Sequence, residues 1–71
     1  MISNRVKLIV LEELAYTGCC LVKDIWMSES IKEDVLYLLE KEKLIISHLG
    51  LITITEEGLK VVSFFNRINE L

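Results

Sequence analysis

SESIKEDVLYLLEKEKLIISHLGLITITEEG, residues 28–58, carries the pattern on which the fold turns. Ser30 followed three residues later by Glu33 has the spacing of a capping box, and from Ile31 the apolar residues Val35, Leu38 and Leu39 recur at helical intervals. A helix is therefore expected from about Ser30 to Lys43, closed by Leu44. Leu44, Ile45 and Ile46 then meet Leu51 to Thr55 across His48-Leu49-Gly50. Two β-branched runs this close together read as a hairpin, with the glycine available for the positive φ that tight turns require. Thr55, Glu56 and Glu57 supply an N-cap and two acidic side chains for the positive end of a following helix.

On the N-terminal side, Ser3 is placed to cap a helix from Asn4 to about Thr17, which Gly18 ends. Val6, Leu8, Val10, Leu11, Leu14 and Ala15 form one broad apolar arc of that helix, whereas Ile9 and Tyr16 fall outside it among charged neighbours. Leu21 to Met27 reads as a short helix joined by Ser28-Glu29 to the next, with Trp26 as a packing residue. Two short helices joined in this way form a helix-turn-helix, whose second member is the one offered to DNA. The last segment, 56–71, sets Val61, Val62, Phe64, Phe65, Ile68 and Leu71 over half of a helix circumference. That is more apolar surface than one face of a small domain can cover, and it points to a dimerisation helix.

Composition limits what such a chain does. Seventy-one residues make one small domain, and a domain of this size buries only about 60% of its unfolded surface. Yet 52% of the residues are apolar and the mean hydropathy is +0.45, so a partner subunit is the expected cover for the surplus. Every apolar run is interrupted well before the roughly 18 residues a membrane span needs, and Met1 to Arg5 lacks the layout of a signal peptide. A cytoplasmic protein without a membrane segment is expected. Cys19 and Cys20 are adjacent, without the CxxC spacing of a zinc or redox site, and His48 is the one histidine. Free thiols, or alternatively an intermolecular disulfide, are the readings of the cysteines; no metal, cofactor or enzymatic activity is expected.

The stretch LLEKEKLIISHLGLITITEEGLKVV, residues 38–62, resembles MarR-type and related small archaeal and viral winged-helix regulators. In these an apolar helix end of the type "LEKKGLI" leads into the wing and "LTEEG" opens the next helix. The resemblance implies an α+β, mainly α, winged helix-turn-helix fold over 1–71: three helices, a two-stranded wing hairpin and a C-terminal helix from about residue 56. It further implies double-stranded DNA as partner, with Ser28, Glu29, Ser30, Lys32, Glu33 and Tyr37 toward the DNA and the wing at Ser47 to Gly50; Lys41 joins them as a cation of a local basic strip. A homodimer through Ile9, Val61, Phe64, Phe65, Ile68 and Leu71 completes the expectation, as does a role in transcription regulation.

Charge argues on both sides. Eight Lys and Arg stand against 11 Asp and Glu, a net charge of -3, whereas phosphate neutralisation supplies most non-specific DNA affinity. The outward arc of the presumed recognition helix is Glu33, Asp34, Tyr37, Glu40 and Lys41, and the wing tip has no Lys or Arg. The alternative is a winged-helix module that binds protein rather than DNA.

Overall fold

The computed structural model describes residues 3–69. Three helices and a three-stranded antiparallel sheet follow in the order α1 (Asn4–Thr17), β1 (Cys19–Leu21), a single 3-10 turn (Val22–Asp24), α2 (Glu29–Lys41), β2 (Ile45–His48), β3 (Leu51–Ile54) and α3 (Glu56–Asn69). The protein is mainly helical, with β3 in the centre of the sheet between β1 and β2.

The first helix follows its sequence signals. The Ser3 hydroxyl accepts from the Val6 N–H at 3.3 Å, and at the other end the Gly18 N–H donates to the Leu14 carbonyl. Val10, Leu11 and Leu14 are buried; Val6, Leu8 and Ala15 are half-buried; Ile9 and Tyr16 are exposed. These side chains meet Val35 and Leu39 of α2, Ile45 and Ile52 of the sheet and Val62 of α3 in one core.

The second helix begins earlier than its sequence suggests. Ser28 is the N-cap, without a side-chain cap bond, and its carbonyl takes the first helical bond from the Lys32 N–H. Ser30 and Glu33 therefore lie inside the first turns and do not form a capping box. The helix ends at Lys41 in a Schellman arrangement: the Lys43 N–H donates to Glu40 and the Leu44 N–H to Leu39. Lys43 occupies the left-handed position, φ 63°, where glycine is the common choice.

The hairpin turns more tightly than expected. His48 pairs with Leu51, so the loop is Leu49-Gly50 alone, and both residues have positive φ, 50° and 81°. A two-residue loop with that pair of dihedrals matches the right-handed twist of the strands, but a leucine in its first position is strained.

The expected short helix over Leu21–Met27 is not formed. Cys19, Cys20 and Leu21 instead pair with Thr53, Ile52 and Leu51 of β3, and the Val22 N–H donates to the Gly50 carbonyl at 2.8 Å. With these amides committed to the hairpin, only Val22–Asp24 is left to coil. The hairpin, expected to stand as two strands, is thus part of a three-stranded sheet. Trp26, expected to pack, stands wholly in solvent at 100% relative exposure.

The third helix starts on Thr55, whose hydroxyl accepts from the Gly58 N–H at 3.1 Å and donates to the Lys43 carbonyl at 2.8 Å. Gly58 is buried where a Cβ would run into the Leu44 carbonyl oxygen and come within 2.6 Å of Ile54 Cγ1. Val62 is buried and Val61 half-buried, while Leu59, Phe64, Phe65 and Ile68 are exposed. Leu71 lies outside the described residues.

Two substitutions probe these backbone constraints in opposite directions by chemical denaturation. Gly58→Ala is expected to lower stability by about 2 kcal/mol or more, because backbone has to shift. Leu49→Asn is expected to raise it by about 0.5–1 kcal/mol by relieving left-handed strain.

Candidate functional site

The residues expected to face DNA separate into two groups. Ser28, Ser30, Glu33, Tyr37 and Lys41 are exposed, and from Ser30 to Lys41 they follow one side of α2 at helical spacing. Tyr37 keeps 65% of its surface in solvent and its hydroxyl is free of protein partners among the described residues. Lys32 is different: it is 3% exposed, and its ammonium donates to the Val22 carbonyl at 3.1 Å and to Glu29 Oε1 at 3.2 Å. It cannot reach a phosphate from there, so it is removed from the expected DNA contacts.

The burial of Lys32 has a local cause. Val22 belongs to the segment folded against the hairpin, and its carbonyl, at the start of the 3-10 turn, points to the first turn of α2. A lysine one turn into α2 lays its aliphatic chain along the apolar surface and brings three donors to that oxygen and to Glu29. Lys32 is thus the strut that holds β1 and the 3-10 turn against α2. Leu49 and Gly50, at the hairpin tip, share a shallow cavity with Val22, Lys23, Glu29 and Lys32, which brings the tip beside the N-terminal end of α2.

With Lys32 turned inward, the outward side of α2 is dominated by carboxylates. Glu29, Glu33, Asp34 and Glu40 are exposed there against Lys41 alone. Among the described residues, Lys7 is engaged with Glu42 at 2.7 Å and Lys60 with Glu57 at 3.4 Å. Arg5, Lys23, Lys41, Lys43 and Arg67 are in no ion pair among the described residues; all are exposed.

The residues expected to form the dimer contact are also divided. Phe65 and Val61 lie in a groove of about 200 Å³ with Leu8, Leu11 and Leu44, between α1 and α3. Phe64 and Ile68, one turn apart, remain uncovered, and the Phe64 ring meets Phe65 edge-on at 5.8 Å. Ile9 does not join them. It lies on the other flank of α1, in a second groove of about 280 Å³ closed by Ile25 and Met27, with Glu13, Asp24 and Trp26 on its rim. Sequence periodicity alone had no means of finding this groove, because its far wall is the segment misread as a helix.

Cys20 opens into the same groove and Cys19 is exposed; both are free thiols. Burial pushes the Cys20 thiol above its usual range, and the charges of Asp24, Glu13 and Cys19 push it further. No group of three or more His, Cys, Asp or Glu suited to a metal occurs among the described residues, nor does any helix long and apolar enough to cross a membrane. No protein-family model, curated protein or solved structure gives a significant match to the chain.

Replacing Lys32 tests the strut directly. Lys32→Ala is expected to cost about 1–3 kcal/mol in chemical denaturation, since the Val22 carbonyl loses its partner and the aliphatic packing goes with it. Lys41→Ala, on the exposed side, is expected to stay within about 0.5 kcal/mol of the parent.

Proposed function

We propose that the chain is a winged-helix DNA-binding protein, working as a homodimeric transcriptional regulator, in which α2 enters the major groove and the β2–β3 hairpin lies alongside it. The observation that supports this reading best is a single juxtaposition. An uncovered helix side carrying Ser30, Glu33, Tyr37 and Lys41 runs beside a tight hairpin whose tip is bonded, through Gly50 and Val22, to the segment leading into that helix. Ser28 and Ser30 suit phosphate or base contacts, Tyr37 a phosphate, and Glu33 the amino group of a cytosine. Lys23 near the hairpin tip and Lys41 and Lys43 at the far end of α2 are the cations that would meet the backbone. Dimerisation through Phe64, Phe65 and Ile68 of α3 would present two α2 helices to half-sites about one helical turn apart.

A second reading is favoured by one specific observation, the excess of carboxylates on the outward side of α2. Under that reading the same side binds a basic protein surface and DNA is not the partner.

Fluorescence anisotropy on duplex DNA across a salt series separates the two. With Lys23, Lys41 and Lys43 engaged in each subunit of a dimer, the slope of log K on log salt is expected near −5. Lys41→Ala is expected to make it shallower by about 2, one contact for each subunit. No binding at low salt, or binding indifferent to salt, refutes the DNA reading and leaves the protein-binding one. Light scattering on the same samples, with Ile68→Asp as the monomerising variant, reports the expected dimer.

A further inference from the structure

The groove between α1 and the segment from Asp24 to Met27 lies apart from both the proposed DNA-binding side of α2 and the proposed dimer surface of α3. Its apolar lining is aliphatic and thioether, from Ile9, Val10, Leu14, Ile25 and Met27, with the Cys20 thiol beside them. Its rim carries two carboxylates, Glu13 and Asp24, and no Lys, Arg or His. Neither carboxylate has an ion-pair partner among the described residues. The indole of Trp26, the one tryptophan of the chain, stands on that rim without any packing of its own.

Each feature is ordinary alone, but together they define a ligand. An indole held in water exposes a π face whose quadrupole attracts cations, and the attraction grows as the cation is desolvated. Two carboxylates at the mouth, with no basic side chain beside them, make the field there negative. A largely apolar groove of about 280 Å³ accommodates a ring or a short branched chain. A neutral apolar molecule would leave the carboxylates unused, and an anion would be repelled by them.

We propose that this groove binds small organic cations with an apolar body, the ammonium lying between the Glu13 and Asp24 carboxylates against Trp26 and the body resting on Ile9 and Met27. The proposal is independent of whether α2 binds DNA.

Trp26 provides its own readout. The full chain is titrated with benzyltrimethylammonium, and in parallel with benzyl alcohol and phenylacetate as neutral and anionic counterparts of similar size. Emission of Trp26 and its indole N–H resonance are followed. The cation is expected to saturate both signals at a concentration on the order of tenfold below benzyl alcohol, and phenylacetate to leave them unchanged. Glu13→Gln and Asp24→Asn, both at exposed positions, are each expected to weaken the cation severalfold while leaving benzyl alcohol alone. Trp26→Leu is expected to abolish the preference for the cation, read from the Met27 methyl resonance.

Equal binding of cation and neutral counterpart overturns the proposal, as does an unchanged cation affinity in the Glu13→Gln, Asp24→Asn double variant. Absence of any response up to about 10 mM does the same. A Trp26 emission that shifts to the blue on raising protein concentration alone, with no response to the cation, assigns the groove instead to a second copy of the chain.

Discussion

The Thr55 hydroxyl holds together the two halves of this small protein. It donates to the Lys43 carbonyl just beyond the end of α2 and accepts from Gly58 in the first turn of α3, while the Thr55 amide donates to the Leu44 carbonyl at 3.0 Å. The end of one helix, both feet of the hairpin and the start of the next helix therefore meet within a few ångströms. Gly58 is the condition for that meeting, since any side chain there would press on the Leu44 carbonyl and Ile54. In a domain with so small a core, a backbone junction of this kind fixes the angle between elements that hydrophobic burial alone leaves soft.

From this junction the arrangement of the outward surfaces follows. Leu44 closes the Schellman turn of α2 and leads directly into Ile45, which is buried, so α2 and the sheet share one corner of the core. At the opposite end of the hairpin, Gly50 and Val22 tie β1 to the tip, and Lys32 ties Val22 to α2. The helix and the hairpin are braced at both ends. That bracing fixes how α2 lies against the hairpin.

Much of this was readable from residue spacing, and the reasons are local. Ser3 and Thr55 cap helices through bonds spanning three residues, and the apolar periodicity of α1 and α3 needs no partner to be recognised. The hairpin was readable because its two strands are separated by only two residues. What escaped depends on distance along the chain. Cys19–Leu21 becomes a strand because β3, some thirty residues on, has a free edge for it. Lys32 looked like a surface lysine because its partner, the Val22 carbonyl, exists only once that strand has displaced the expected helix. Trp26 was expected to pack for the same reason, and the groove that it borders was not expected at all. One misread segment thus accounts for the missing strand, the inward lysine and the unforeseen groove.

Native-state hydrogen exchange of the Leu44, Thr55 and Gly58 amides tests the role of the junction most directly. The account predicts that all three open only with the Val35 and Leu39 amides of the core helix, at the free energy of global unfolding. Exchange of Thr55 and Gly58 at much lower free energy, with the core amides still protected, would show α3 detaching separately and contradict it.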